Sequence, residues 1–210
     1  MKKTEKEKQY AGEVYDPGVP EIMEGQLALL DTLREYNAIP HVEMQRREEK
    51  LRSMFAELGE NCYVESPFHA NFAGKHVHFG KNVYANFNLT LVDDNHIYVG
   101  DYTMIGPNVT IATAGHPIDP QLRQRGLQYA IPVHIGKNCW LGAGVVVLPG
   151  VTIGDNTVIG AGSVVTKDIP SGVIALGSPC RVLREVGEKD RLYYFQDRPL
   201  DPEIWQEIRK

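Results

Sequence analysis

No stretch of the 210-residue chain approaches the roughly 18 consecutive apolar residues needed to cross a bilayer, and the opening MKKTEKEKQY is charged with no apolar segment behind it. A protein that neither spans a membrane nor leaves the cytoplasm by a standard signal is expected. Cysteine is scarce. Cys62, Cys139 and Cys180 are an odd number at wide spacing, with no Cys-x-x-Cys pair to hold a metal or exchange disulfides. They read as buried thiols in a reducing cytoplasm. Excess basic charge is missing too: 22 Lys and Arg stand against 27 Asp and Glu, a net charge of -5, and the basic residues are scattered. Nucleic acid is therefore not an expected partner. Nor is there a glycine-rich phosphate loop between a strand and a helix, so a nucleotide-binding fold is not expected.

With 42% hydrophobic and 23% charged residues, the composition is that of an ordinary globular chain, long enough for one core with appendages. The informative feature is a repeat. An aliphatic residue recurs every six positions at Ile135, Leu141, Val147, Ile153, Ile159 and Val165, and a small or β-branched residue takes the fourth place after the first five, at Cys139, Val145, Val151, Thr157 and Ser163. Counting back from Ile135 reaches Ile111, Ile105 and Val99, with Thr103 and Val109 as companions. Residues 112–134, rich in loop formers, are thus an excursion that leaves the phase intact, and long loops in compact domains are usually functional.

A period of six fits neither an α-helix nor sandwich hairpins. It fits a parallel β-helix in which each hexad supplies a short strand and a turn, three hexads close a coil, and coils stack at about 4.8 Å. The open end of such a stack must be covered. Weaker hexads run back through Phe79, Val83, Leu89 and Leu91, interrupted by Asp93 and Asp94, so the domain is expected to begin near Asn61. Before it, Met23, Leu27, Leu30 and Leu33 after Pro20, and Met44, Leu51, Met54, Phe55 and Leu58 after Pro40, predict two capping helices ending at Gly59. The expected organisation is a helical cap over 1–60, the β-helix over 61–184 with an extended loop at 112–134, and a tail over 185–210. Asp201 and Pro202 predict a short helix in that tail.

AGEVYDP at the start, NVYANFNLTLVDD at 82–94, GPNVTIATAGHPI at 106–118, CWLGAGVVVLPGVTIGDNTVIGAGSVVTKDIP at 139–170 and GSPCRVLRE at 177–185 together resemble the hexapeptide-repeat acetyltransferases of the maltose and galactoside O-acetyltransferase branch. The resemblance covers nearly the whole chain. It implies a left-handed β-helix, a homotrimer with active sites between subunits, acetyl-CoA as donor with no metal required, and a sugar hydroxyl as acceptor.

His116 in the excursion is the expected general base, because an alcohol is a poor nucleophile until its proton is withdrawn and an imidazole suits that task near neutral pH. The loop offers no serine or cysteine beside it, so no acetyl-enzyme is needed. A solvated loop histidine is the plain alternative. Asn86 matches the family's substrate and transition-state contact, a neutral donor for a developing oxyanion; a turn residue or an asparagine ladder is its rival. Asp16, Asn71, Tyr84 and Asp94 match acceptor-binding positions, although either aspartate could serve a turn. For the donor, the resemblance implies a groove along Ala143, Ala161, Thr166 and Lys167 with Trp140 near the thioester and Arg181 and Arg184 at the phosphates, since arginine grips phosphate bidentately. Each of these could instead be a surface charge or a corner-covering side chain.

A zinc hydratase of the carbonic anhydrase type uses the same fold and needs three converging imidazoles. His76, His78, His96 and His134 are candidates, but Gln121 stands where that class carries its second histidine. The chain departs from the family at HANFAGKH, where Asn71 is the counterpart of an acidic or seryl residue, and at Gly25 and Gln26, where galactoside enzymes place an arginine. A non-sugar alcohol as acceptor and a noncatalytic scaffold are the remaining alternatives.

Overall fold

The computed structural model describes residues 2–208; Met1, and Arg209 and Lys210 at the end of the expected tail, lie outside the described residues. The chain winds as a left-handed parallel β-helix with three faces. The first face stacks Glu57–Leu58, Val77–Phe79, Ile97–Val99, Val133–Ile135 and Thr152–Ile153. The second stacks Tyr63–Val64, Tyr84–Ala85, Met104–Ile105, Trp140–Leu141, Val158–Ile159 and Val173–Leu176. The third stacks His69–Ala70, Thr90–Val92, Thr110–Ala112, Val146–Val147 and Val164–Val165.

The hexad aliphatics point into the prism and are all buried, as are their companions Cys139, Val145, Val151, Thr157 and Ser163. Polar companions find partners inside: the Thr103 hydroxyl donates to the Gly136 carbonyl at 2.9 Å and accepts from the Cys139 N–H at 3.0 Å. Corners demand special backbones. Asn138 and Asn156 sit at φ of 52° and 56°, which asparagine tolerates better than most residues, and the Asn138 carboxamide donates to that of Asn156 at 2.9 Å. At Gly142 a Cβ would lie 2.6 Å from the Ala161 backbone nitrogen, so the coils close there only around glycine.

Register shows where the rhythm breaks. Ile135, Leu141 and Val147 pair with Ile153, Ile159 and Val165, each 18 residues on. Val99, Ile105 and Ile111 pair with Ile135, Leu141 and Val147 at a spacing of 36, so the excursion adds one coil's length of chain without disturbing the stack. The two earlier coils run 20 and 21 residues. Within every coil the steps from first to second and second to third face stay at six. All additional residues therefore enter at one corner, between the third face and the first.

The cap terminates each face separately. α1 (Glu5–Tyr10), α2 (Pro20–Ala38) and α3 (Met44–Met54) precede the solenoid. Arg52 of α3 donates to the Leu58 carbonyl on the first face at 2.6 Å. Buried Arg47 and the Tyr36 hydroxyl both donate to the Val64 carbonyl on the second, at 2.8 and 2.6 Å. Ahead of the third, the Asn37 carboxamide donates to the Phe68 carbonyl at 2.8 Å and accepts from its N–H at 3.0 Å. At the other end Arg181–Glu185 folds back antiparallel on Val173–Leu176. The tail continues as α5 (Glu188–Leu192), a hairpin of Tyr193–Phe195 with Arg198–Pro199, and α6 (Pro202–Ile208).

Several expectations shift. The solenoid starts at Glu57 rather than near Asn61, because Leu58 already occupies the inward position in phase with Val64 and Ala70. The second capping helix ends at Met54, with Phe55 and Leu58 turned into the core. In α2, Ile22, Leu33 and Tyr36 are buried, whereas Met23, Leu27 and Leu30 face outward. Arg47 also donates to the Ile39 carbonyl, the Tyr36 hydroxyl and the Ser66 hydroxyl. Replacing it by methionine should lower unfolding stability by roughly 2–4 kcal/mol, because buried acceptors lose their donor. Arg46→Ala, on the exposed side of the same helix, should change the urea midpoint little.

Candidate active site

The irregular corner brings Asn71, Asp94 and His116 together. On the first coil, Asn71 follows the strand at His69–Ala70; on the second, Asp93 and Asp94 interrupt the step from Leu91 to Val99; on the third lies the long loop. Asp93 is fully buried and joins two coils, its Oδ1 accepting from Phe72 N–H at 2.8 Å and its Oδ2 from Gly74 N–H at 3.0 Å. Burial nonetheless pushes its carboxyl up to about 6. Asp94, also buried, accepts from the Asn71 carboxamide at 2.8 Å and faces the Tyr15 hydroxyl at 3.4 Å. Burial raises its carboxyl above the ordinary range, opposed by those two contacts and by the nearby imidazole of His116.

The loop is itself a small ordered unit. Ala114–Gly115 pairs antiparallel with Tyr129–Ala130, and α4 (Pro120–Gln124), capped by the Asp119 carboxylate, forms its tip. A Cβ at Gly115 would lie 2.7 Å from the Tyr129 hydroxyl, so a larger residue there would displace that ring. The next residue is His116. Its Nδ1 lies 2.8 Å from the Leu127 carbonyl. A carbonyl only accepts, so Nδ1 carries the hydrogen and Nε2 holds the lone pair.

Facing Nε2 at 3.5 Å is the Gln128 carboxamide. Gln128 is held in turn by Tyr15 of the N-terminal arm: the two backbones exchange hydrogen bonds of 2.9 and 3.0 Å, and the Tyr15 hydroxyl donates to Gln128 Oε1 at 2.9 Å. Burial, with Asp94 beside it, holds the Tyr15 phenol protonated far above its usual range. Leu127 and Gln128 lie in none of the resembling segments, and AGEVYDP singles out Asp16 rather than Tyr15; the pair at 15 and 128 meets only because the loop doubles back onto the arm.

The remaining expected residues separate into places. Asp16 follows Tyr15, is exposed, and accepts from Gly18 N–H at 2.8 Å. Thr166 and Lys167 are exposed at the same corner as His116, near the top of the stack. Asn86 stands at a different corner, between the second and third faces, with its Oδ1 taken by the Phe87 N–H at 2.8 Å, leaving Nδ2 as donor. Ala143 and Ala161 line that second corner, below and above one another. Tyr84 and Trp140 lie on the outward side of the second face, and Arg181 and Arg184 on its last strand. Within one chain the third face separates His116 from Asn86. Arg184 grips Asp190 bidentately at 2.6 Å through each nitrogen, which holds the Asp190 carboxyl well below the usual range.

The four histidines weighed as metal ligands are engaged with their neighbours. His78 Nε2 lies 2.8 Å from His96 Nδ1, His134 stacks on Tyr98 at 4.7 Å, and His76 lies 2.7 Å from the Tyr10 hydroxyl. Among the described residues no three His, Cys, Asp or Glu side chains are grouped so as to hold a metal ion, and no helix is long and apolar enough to cross a membrane.

Residues 132–167 match the family model for the bacterial transferase hexapeptide (six repeats), and residues 8–59 match that for the maltose acetyltransferase hexapeptide capping motif. A galactoside O-acetyltransferase of Lactococcus lactis is 50% identical over 90% of this chain and 91% of its own. The chain belongs to the hexapeptide-repeat acetyltransferase family. The galactoside O-acetyltransferase of Escherichia coli is 45% identical, covering 92% of this chain and 95% of that one. A solved galactoside acetyltransferase in complex with coenzyme A superposes with a TM-score of 0.92 at 44% identity, covering 95% of this chain and all of that one. The prism and the helical cap are thus features of the family.

His76 and Asp93 give the corner opposite responses to acid. Burial lowers His76 to about 4 from 6.5, so the fold loses stability as pH falls from about 6.5 through 4. Asp93, raised to about 6 from 3.8, binds its proton more readily when folded and gains stability over nearly the same window. Asp93→Asn should therefore make the protein more acid-sensitive than wild type and His76→Gln less so, read as the difference between urea midpoints at pH 7 and pH 4.5.

Proposed function

We propose that the protein transfers the acetyl group of acetyl-CoA to a hydroxyl of a sugar, by direct attack with His116 as general base. The observation that carries this reading is the locked tautomer: the Leu127 carbonyl commits Nδ1 and leaves the Nε2 lone pair for the acceptor's proton. The acceptor oxygen bonds to the thioester carbon as its proton passes to Nε2. The Nδ2 group of Asn86 donates to the oxyanion that forms. As the C–S bond breaks, the imidazolium returns that proton to the coenzyme A thiolate. Asp94 and Asn71 beside the base, with Asp16 and Tyr84, supply partners for the other hydroxyls of the acceptor.

The separation of His116 from Asn86 favours a site shared between copies. One wall is the irregular corner, with Asn71, Asp94, His116, Thr166 and Lys167. The other is the second face and its edge, with Asn86, Trp140, Ala143, Ala161 and Arg181. A head-to-tail contact repeated three times closes a ring and completes three sites, a cytoplasmic homotrimer in this reading. The donor lies in the groove between prisms, where Arg184 reaches its phosphates by giving up Asp190.

Free thiol released from acetyl-CoA in the presence of a panel of sugars measures the activity; no acceptor-dependent thiol would overturn the reading. His116→Ala should lower turnover by roughly 10²- to 10⁴-fold with coenzyme A affinity nearly intact. Assembly makes a separate prediction. His116→Ala and Asn86→Ala, each inactive alone, should recover about a quarter of wild-type activity when unfolded and refolded together, because chains mixed at random place an intact His116 opposite an intact Asn86 at one site in four. Mixtures no more active than either variant would assign both residues to one chain's site.

A further inference from the structure

Beside His116 stand two groups that the reaction above does not use, the Gln128 carboxamide and the Tyr15 hydroxyl, and they lie in a continuous line from the base to a buried carboxylate. The contacts run 3.5 Å from His116 Nε2 to Gln128 Nε2, 2.9 Å from Gln128 Oε1 to Tyr15 Oη and 3.4 Å from Tyr15 Oη to Asp94 Oδ1. We infer that Gln128, oriented by Tyr15, is a positioning residue that serves the base in both of its charge states and links those states to Asp94. The inference rests on His116 being the general base.

A carboxamide suits this place because it carries a donor and an acceptor on one planar group. With the imidazole neutral and no acceptor bound, Gln128 Nε2–H faces the lone pair of His116 Nε2 while Oε1 accepts from Tyr15, and the acceptor hydroxyl replaces that long contact when it binds. Once Nε2 has taken the acceptor's proton it becomes a donor, and a half-turn of the carboxamide presents Oε1 to it. The amide NH₂ then faces the Tyr15 oxygen, and the phenolic O–H swings from Gln128 to Asp94. Only hydrogen bonds change hands; the transferred proton stays on Nε2 until coenzyme A takes it. Tyr15 is held for this role by its two backbone hydrogen bonds to Gln128 and by burial, so the hydroxyl reorients while the ring stays fixed. A thioether or alkyl side chain at position 128 could do neither task, and a carboxylate could serve only the charged imidazole.

The other polar groups around the ring leave the link in place. Asp94 faces it from the solenoid and Asp16 adjoins Tyr15 on the arm. On the loop, the Tyr129 hydroxyl lies beside Gly115, and Arg123 donates to the Pro117 and Ile118 carbonyls at 3.3 and 2.6 Å.

The test compares full-length wild type with Gln128→Glu, Gln128→Met and Tyr15→Phe in two measurements: the titration of His116 by imidazole nitrogen NMR without substrates, and the pH profile of kcat/KM for acetyl transfer. Gln128→Glu is nearly isosteric and places an opposite charge by the ring, so the His116 midpoint and the acid limb should both move up by about one pH unit or more. Gln128→Met should lower kcat roughly ten- to a hundredfold with the KM for acetyl-CoA unchanged, and Tyr15→Phe should shift kcat the same way by less. NMR and pH profiles of the Gln128 variants that superimpose on wild type would overturn the inference. If His116→Ala abolishes transfer while Gln128 variants change nothing, the link fails and the base assignment stands. A moved NMR midpoint in a protein that transfers no acetyl group would support the link and sink the assigned reaction.

Discussion

A parallel β-helix cannot close on itself, so its outermost coil presents backbone groups on three faces at once. Here that requirement is met face by face. Arg52 answers the first, Arg47 with Tyr36 the second and Asn37 the third, all from two helices packed side by side. Arg47 is the least expected of the three because a guanidinium sits almost wholly buried with no carboxylate among its hydrogen-bond partners. Carbonyls, two hydroxyls and the Tyr36 ring 4.6 Å away take the place of a counterion. With the end secured, every coil above is free to stack in register, each strand's N–H and C=O groups paired with the next rung.

Register in turn confines irregularity. A coil can gain residues only where its chain is not paired, and in this molecule all of them leave at one corner. Extra backbone there needs partners of its own, which is why that corner is rich in buried polar groups. Asp93 collects two N–H groups of the coil below. Asn95 donates to the Gln9 and Ala130 carbonyls, and Gln9 to that of Asp94. The N-terminal arm is thus bonded to the corner through Gln9, Tyr10 and Tyr15, and structural and chemical duties fall on adjacent residues.

Sequence periodicity carried the prism because the inward positions repeat and each must be aliphatic or small. It carried the corner as well, though only as interruptions: Asp93–Asp94 and the loop with His116 are legible as places where the rhythm fails. The stripe of Met23, Leu27, Leu30 and Leu33 announced a helix, but of the four only Leu33 is buried, because the inward side of α2 is set by Ile22, Leu33 and Tyr36. A start at Glu57 was hidden because the first coil is three residues longer than the regular ones, so Leu58, Val64 and Ala70 keep a rhythm of their own that is out of phase with the regular hexads downstream. Tyr15 with Gln128, and Arg184 with Asp190, obey no period at all. The first pairing depends on the fold of a loop, the second on a turn in the tail, and neither could be read from composition or spacing. Distance along the chain hid Tyr15 most thoroughly, for its ring is buried by a segment more than a hundred residues away.

The rungs on either side of the excursion are in direct contact, Ile111 against Val147 and Val99 against Ile135. Inserted chain at that corner is therefore mechanically silent: it can lengthen, shorten or be swapped for another without shifting a rung. The groove edge lined by Ala143 and Ala161 enjoys no such freedom, because its glycines meet the next coil's backbone directly. Length and shape can accordingly vary at the one corner while the other stays fixed by its contacts.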